Sequence, residues 1–197
     1  MTLILASGSE IRKTLLENAG LEIAVQVARL DEDMIKASMQ EAMAHPRDIA
    51  DKLAEAKSAK ISNKFPDAIV LGCDQVLALK EKVFSKSDSA DEAKEVLKQL
   101  RGETHRLYSA AVIYKSGKPV WRYVGVARLT MRKFSDDYLT EYLDRNWSTV
   151  SSSVGAYHLE GEGVRLFSKV EGDFFTVLGL PLVELLSYLT LIGEIEG

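Results

Sequence analysis

The residues with the clearest chemical potential lie near the start of the chain, where an apolar run breaks at a short turn and a helical pattern begins. Ser7-Gly8-Ser9 form the predicted turn, and Arg12 and Lys13 follow it. Ser9 is predicted to cap the helix, because its hydroxyl can accept a hydrogen bond from an N–H group of the first turn. N–H groups at a helix start, with two cations beside them, favour a bound anion. The alternative is a plain surface turn with two solvated cations.

A carboxylate, Asp74, interrupts the long apolar run that precedes residue 80. A buried charge without a partner is costly. Asp74 is therefore predicted to be paired, to bind a ligand, or to lie at a strand end facing a cleft, where open α/β sheets bind their ligands. The alternative is an aspartate that hydrogen-bonds its own turn. Its neighbour Cys73 is predicted to be a small core residue rather than a nucleophile.

Other polar residues carry weaker signals. Asp31 and Glu32 follow the second predicted strand, and carboxylates brought together could hold Mg²⁺, which prefers oxygen ligands and often bridges phosphates; the alternative is a solvated acidic turn. Lys57 lies among small residues of a predicted helix and Lys86 in a polar connection, but most such lysines are simply solvated. His105 could be a base, yet no Ser or Cys nucleophile pattern accompanies the histidines, which predicts a structural or surface role.

The composition narrows the class of protein. The 197 residues are 46% hydrophobic and 27% charged, as in an ordinary globular protein, and we predict a single domain over residues 1–197. A net charge of −4 argues against a nucleic-acid partner bound through a basic surface. One cysteine fits a reducing compartment. No apolar run approaches the roughly 20 residues that span a membrane, and the start lacks an export pattern, so we predict no membrane partner and a cytoplasmic location.

The elements that must position these residues alternate between strands and helices. Strands are predicted over 2–5, 21–28, 68–79 (interrupted at 72–75), 105–114 and 120–132, with short strands or turns over 164–167 and 174–177. Helices are predicted over 10–19, 46–62, 89–100, 136–144 and 182–192, with Ser89 or Asp88 capping the third and Ser135 the fourth. This order predicts an α/β fold, with a mixed sheet flanked by helices and splayed into two lobes.

A series of short motifs, in order, resembles the Maf (septum-formation-like) nucleoside triphosphate pyrophosphatases over nearly the whole chain. Each motif is weak alone, but their order and spacing together are specific to the family. The matching segments are 5–13 (LASGSEIRK), 30–32 (LDE), 53–57 (LAEAK), 72–76 (GCDQV), 85–87 (SKS), 100–105 (LRGETH), 155–161 (GAYHLEG), 171–173 (EGD) and 177–182 (VLGLPL).

This resemblance implies a fold like that of inosine triphosphate pyrophosphatases, with two lobes around a deep cleft, and a homodimer. It implies hydrolysis of a nucleoside triphosphate to the monophosphate and pyrophosphate, dependent on Mg²⁺ or Mn²⁺, with Asp74 as the proton acceptor that activates water. It also implies that Glu32, Asp31 and Asp74 hold the metal. The phosphates would be bound by Ser7, Arg12, Lys13, Lys57 and Lys86. Such chemistry needs neutralised charge and an oriented water.

The specificity positions of the family fall on Ile11, Gln75 and Glu160. Gln75 and Glu160 resemble the subgroup acting on 7-methyl-GTP, and Glu160 could accept hydrogen bonds from a guanine N1–H and amino group. Ile11 departs from that subgroup, which tends to carry tryptophan there, and so offers no aromatic ring to a methylated, cationic base. Lys13 replaces an arginine of the family, which keeps the charge but loses the bidentate fork.

The resemblance favours a house-cleaning pyrophosphatase that removes modified or surplus nucleotides. A second enzymatic hypothesis is a pyrophosphatase that prefers other purine substrates, such as inosine triphosphate. A hypothesis of a different class is a nucleotide-binding regulator of cell division with little turnover. The presence of Asp74 and its cations argues against that regulator.

Overall fold

A computed structural model describes residues 3–196. Its strands are β1 (Leu3–Leu5), β2 (Ile23–Val25), β3 (Ile69–Leu79), β4 (Lys82–Phe84), β5 (Thr104–Lys115), β6 (Lys118–Met131) and β7 (Phe167–Glu171). Its helices are α1 (Glu10–Asn18), α2 (Glu32–Glu41), α3 (Pro46–Ser62), α4 (Ala90–Leu100), α5 (Asp136–Val150), α6 (Phe174–Val177) and α7 (Leu182–Leu191), with a 3-10 helix over Glu162–Leu166.

The seven strands form one sheet in the order β2-β1-β3-β5-β6-β7, and β4 pairs with β3. β1 runs parallel to both neighbours, with Leu3 opposite Ile23 on one side and Ile69 on the other. β4 is antiparallel to β3, and β7 is antiparallel to β6. Parallel and antiparallel pairs in one sheet, with helices between the strands along the chain, confirm the predicted mixed α/β fold.

The residues group into two compact units. The first unit contains the chain up to Gln75, then Tyr108–Gly125 and the part from Phe174 onward, and the second contains Val76–Leu107 and Val126–Asp173. A single domain over residues 1–197, and the deep cleft that the family resemblance implies, stay predictions.

The first unit is built around a buried apolar cluster that joins β1, β3 and β5 to α1 and α7. A strand buried on both faces reads as a nearly continuous apolar run, which is how β1 and β3 were recognisable in the sequence. The buried members of the cluster are Leu3, Leu5, Leu15, Leu16, Ile69, Leu71, Cys73, Ala111, Ile113, Leu180, Leu182, Leu185 and Leu189. The prediction that Cys73 is a core residue is confirmed.

Gly72 permits the close approach of α3 to β3. A Cβ added at Gly72 would lie 2.1 Å from the carbonyl oxygen of Ala54 and 2.7 Å from the backbone nitrogen of Ser58. A side chain there would force the helix away from the strand. The contact brings Lys57, the neighbour of Ser58, against the strand that carries Asp74.

The second unit contains α4 and α5, whose predicted N-caps are confirmed. Ser89 accepts a hydrogen bond from the Glu92 N–H at 3.2 Å, and Ser135 accepts one from the Tyr138 N–H at 3.1 Å. Each side chain satisfies a donor that the first helical turn leaves unpaired. α5 continues to Val150, beyond the predicted end at residue 144.

Several boundaries differ from the sequence predictions. The acidic turn predicted around residue 32 is the start of α2, whose apolar residues Met34, Ile35 and Met39 are exposed or only half-buried. β3 passes through residues 72–75 without interruption, because the polar residues there keep the extended backbone and are paired. Of the segments predicted as short strands or turns, 164–167 covers the end of the 3-10 helix and the first residue of β7, and 174–177 is α6. Thr2, in the first predicted strand, lies outside the described residues.

Within residues 3–196, no helix combines the length and the apolar character that crossing a membrane requires.

Candidate functional site

Asp74, Lys57 and Glu32 form a network of charges in the first unit. The Lys57 Nζ lies 2.7 Å from Asp74 Oδ1 and 3.0 Å from Glu32 Oε1. Asp74 is 6% exposed and Lys57 is 8% exposed, whereas the Glu32 side chain is 37% exposed. Of the environments predicted for Asp74, the structure shows the ion pair, within β3 rather than at its end. A buried carboxylate and a partly open one therefore share a single ammonium.

Arg12 is buried on α1 and is held by three acceptors. Its Nε donates to the Gly179 carbonyl oxygen at 2.8 Å, and its Nη1 donates to Ser7 Oγ and to the Cys73 carbonyl oxygen, each at 3.1 Å. A guanidinium has five N–H groups. Among residues 3–196, no hydrogen-bond partner is found for the two N–H groups on Nη2, which leaves them for a ligand. The guanidinium is therefore tied to β3 at the residue that directly precedes Asp74.

The turn before α1 uses Ser7 rather than Ser9 as its hydrogen-bonding side chain. The Ser7 hydroxyl is buried and accepts from the Ser9 N–H at 3.3 Å, as well as from Arg12. Ser9 occupies the N-cap position, but its side chain makes no capping hydrogen bond, so its predicted cap is wrong. The cap side chain therefore satisfies none of the first-turn N–H groups of α1.

Gln75, next to Asp74, is anchored through its amide nitrogen. Nε2 donates to the carbonyl oxygens of Val177 at 2.9 Å and Thr176 at 3.2 Å, and lies 3.0 Å from Ser109 Oγ. Two carbonyl oxygens require a donor, which fixes the orientation of the amide. Because Nε2 already donates to protein oxygens, Gln75 would offer a ligand its Oε1, a hydrogen-bond acceptor.

Three other predicted site residues of the first unit have local partners. Lys13 lies 3.9 Å from Glu17 with both side chains well exposed, and such a surface pair contributes little. Ile11 is half-buried and packs against the apolar cluster. Asp31 caps α2, accepting from the Met34 N–H at 2.9 Å. The structure therefore joins Glu32 and Asp74 through Lys57, while one oxygen of Asp31 caps a helix.

Two predicted residues belong to the second unit. Lys86 is exposed in the connection between β4 and α4, beside the acidic first turns of that helix. Glu160 is exposed in the connection between α5 and the 3-10 helix. Phosphate binding by Lys86 and base selection by Glu160 stay predictions.

His105 is fully buried in the second unit. Of the two roles predicted for it, structural or surface, its burial fits the structural one. Its Nε2 lies 2.8 Å from the Tyr157 hydroxyl, and its ring lies beside Phe167. Its Nδ1 is buried with no hydrogen-bond partner among residues 3–196. Burial lowers the pKa of His105 to about 4, because a charged imidazolium would lose its hydration there. The ring is therefore neutral at physiological pH.

We expect His105 to make the stability depend on pH between about 6.5 and 4. In this window the unfolded chain binds a proton at His105 and the folded chain does not, so the free energy of unfolding falls as the pH is lowered. The total loss is about 3 kcal/mol, present in full below pH 4 and absent above 6.5. Urea denaturation at a series of pH values measures it, and His105→Gln should flatten the curve in this window. An equally steep curve for the variant would contradict this prediction.

Gly179 is the site residue that the sequence reasoning missed. Gly179 belongs to the motif over residues 177–182, but the sequence alone indicates no role for it, because its carbonyl contact with Arg12 joins residues 167 positions apart. The available signal was a glycine after a short apolar segment and before Leu180-Pro181, which is typical of a helix C-terminus.

Curated proteins of similar sequence cover nearly the whole chain. A "Nucleoside triphosphate pyrophosphatase" of Ruegeria sp. (strain TM1040) is 55% identical over 98% of this chain and 98% of its own length. A "7-methyl-GTP pyrophosphatase" of Mesorhizobium japonicum is 46% identical over 99% of this chain and 98% of its own. Among solved structures, a nucleoside-triphosphatase / dITP/XTP pyrophosphatase of Mycobacterium abscessus matches over 96% of this chain and 100% of its own, at 14% identity and a TM-score of 0.47.

The family comparison agrees with these relatives and with the motifs. A family model described as "Maf-like protein" matches residues 2–192, which include every residue of the network around Asp74 and the cluster around Arg12. The chain therefore belongs to the Maf family.

Proposed function

We propose that this protein hydrolyses a nucleoside triphosphate to the nucleoside monophosphate and pyrophosphate. The observation that carries the proposal is the buried Asp74–Lys57 pair at 2.7 Å, one residue along β3 from the carbonyl that holds Arg12. A buried carboxylate in contact with a buried ammonium, with a buried guanidinium bound to the preceding residue, suits the hydrolysis of an anionic substrate. Relatives sharing 55% and 46% of its residues carry names that describe this activity.

In the proposed reaction, the cations bind the phosphates and Asp74 accepts a proton. The Nη2 of Arg12, the first-turn N–H groups of α1 and the Lys57 ammonium supply positive charge, and Lys13 and Lys86 would add to it. Asp74 accepts a proton from water as the water oxygen bonds to the α-phosphorus. The bond from the α-phosphorus to the oxygen that bridges it to the β-phosphorus breaks, and pyrophosphate leaves with that oxygen and the electron pair.

The acidic residues fit a hard divalent cation, Mg²⁺ or Mn²⁺. Glu32 and Asp74 contact the same ammonium, so both present carboxylate oxygens to one small volume. Mg²⁺ is commonly held by one or two carboxylates, with the other positions taken by waters and substrate phosphates. Among residues 3–196, no group of three or more His, Cys, Asp or Glu side chains is placed to hold a metal. When bound, the metal would neutralise phosphate charge.

The substrate class we propose includes 7-methyl-GTP and other guanine-type nucleotides. Gln75 can offer only the acceptor Oε1 to a base, and Glu160 also carries acceptor oxygens. Guanine presents neighbouring N–H donors on one edge, to which such acceptors are suited. Because Ile11 has no aromatic ring and packs, half-buried, against the apolar cluster, selection would rest on hydrogen bonding rather than on stacking at that position. We further propose a cytoplasmic homodimer.

A turnover screen tests this proposed function. The purified protein is incubated with guanine, 7-methylguanine, hypoxanthine, adenine and pyrimidine nucleoside triphosphates, with Mg²⁺ or Mn²⁺, and the products are separated by chromatography. We expect pyrophosphate and monophosphate in equal amounts, fastest with the guanine-type bases. Binding of a triphosphate without turnover would favour the nucleotide-binding regulator instead, and release of inorganic phosphate with a diphosphate would contradict the proposed bond cleavage.

A further inference from the structure

The segment that ends α6, residues 176–179, contacts both Arg12 and Gln75. Its carbonyl oxygens at Thr176 and Val177 accept from Gln75, and the one at Gly179 accepts from Arg12 Nε. We propose that this segment, here called the guide turn, is a positioning element for the phosphate-binding arginine, and that Gly179 sets the direction in which Arg12 presents its uncommitted N–H groups. The inference rests on the proposed function, in which Arg12 binds phosphate.

The guide turn has a fixed backbone. The Leu180 N–H donates to the Phe175 carbonyl oxygen and the Gly179 N–H donates to the Thr176 carbonyl oxygen, each at 3.1 Å, which is the Schellman pattern of a helix C-terminus. Gly179 has a φ of +99°, a conformation that residues with a side chain rarely adopt. The Ser109 hydroxyl also donates to the Thr176 carbonyl oxygen, at 2.7 Å. The direction of the Gly179 carbonyl is therefore set by backbone geometry.

The absence of a side chain at Gly179 also matters for Arg12. A Cβ added at Gly179 would lie 3.3 Å from Nη2 and 3.4 Å from Nε of Arg12. Nη2 is the nitrogen whose two N–H groups have no hydrogen-bond partner in the described part of the chain. A methyl group there would crowd the part of the guanidinium that is left for phosphate, and the paired geometry of an arginine–phosphate contact depends on its direction.

Gly193 provides a matched control. It follows α7 in the same Schellman pattern, with the Glu194 N–H bound to the Leu189 carbonyl oxygen and the Gly193 N–H to that of Thr190, each at 3.0 Å. Its φ is +73°, and a Cβ added there meets no atom of the described residues within 4 Å. Gly193→Ala therefore introduces backbone strain at a helix end without crowding an arginine.

The experiment compares Gly179→Ala with Gly193→Ala. We expect Gly179→Ala to lower kcat/KM for a nucleoside triphosphate by about 10- to 100-fold, mainly through KM, because a small misplacement of a binding group is costly. Its affinity for inorganic triphosphate, measured by calorimetry, should fall by a similar factor. Gly193→Ala should stay within about twofold of the native protein in both measurements. In an Arg12→Lys background, Gly179→Ala should add little, since the residue it acts through is gone.

The outcomes separate this inference from the proposed function. If Arg12→Lys leaves turnover and triphosphate affinity unchanged, phosphate binding by Arg12 is wrong, and the guide turn has nothing to position. If Arg12→Lys is impaired but Gly179→Ala behaves like Gly193→Ala, or keeps its full effect in the Arg12→Lys background, the positioning role is wrong. Should Gly179→Ala fail to fold, Gly179→Asn is compared with Gly193→Asn, because asparagine tolerates positive φ better and still carries a Cβ.

Discussion

Asp74→Asn is expected to lower turnover by about 100-fold or more while the protein still binds nucleotide. The substitution keeps the size of the side chain and an oxygen that can accept from Lys57, so the contact at 2.7 Å has an acceptor in the variant too. It removes the carboxylate that would accept a proton from the attacking water. The loss should therefore appear in kcat far more than in the affinity for a triphosphate.

The measurement combines pyrophosphate release with calorimetric titration of a slowly hydrolysed triphosphate analogue. Asp33→Asn is the matched control, because Asp33 is exposed in the first turn of α2, next to Glu32. It removes one negative charge near the network without touching the Lys57 pair. Turnover of Asp74→Asn close to that of Asp33→Asn would remove Asp74 from the proposed reaction.

The location of Asp74 was predictable because a charge within an apolar strand is a strong local signal. The same reasoning gave α3 with both of its ends correct, since its start has a proline and its buried face repeats at helical spacing. α2 was not predicted, because the acidic residues at its start indicate a turn and its few apolar residues are exposed or only half-buried. Sequence periodicity identifies a helix most readily when it has several fully buried residues, as α3 does.

The partners of the site residues were less predictable than the residues themselves. The acceptors of Arg12 lie 5, 61 and 167 residues away along the chain, and only the fold brings them together. Ser9 is of the right type and lies at the N-cap position, yet its side chain makes no capping hydrogen bond. The Ser7 hydroxyl accepts the hydrogen bond from the Ser9 N–H instead. Residue type predicts what a group can do, but its partner depends on tertiary contacts.

Lys57→Met is expected to lower the free energy of unfolding by about 3 kcal/mol at neutral pH, because removing one partner of a buried ion pair leaves the other charge uncompensated. The Asp74 side chain is 8% exposed and would lose its cation, whereas Glu32 can still use solvent. Lys52→Met, on the same helix, is the control. Lys52 is 54% exposed and pairs with Glu55, so its loss should cost less than about 1 kcal/mol. Urea denaturation measures both variants.

The same variant tests whether Glu32 and Asp74 can hold a divalent cation. Without the Lys57 ammonium, the two carboxylates repel each other, and a cation that binds only the folded protein stabilises it by an amount that grows with the logarithm of its concentration. Mg²⁺ or Mn²⁺ should therefore raise the unfolding free energy of Lys57→Met, by about 2.7 kcal/mol at 100 times the dissociation constant. The double variant Lys57→Met/Asp74→Asn should lose most of this response. An equal response in both variants would mean that the cation binds elsewhere. If neither variant responds, the titration is repeated with inorganic triphosphate present. A continued lack of response would mean that these carboxylates do not bind the cation.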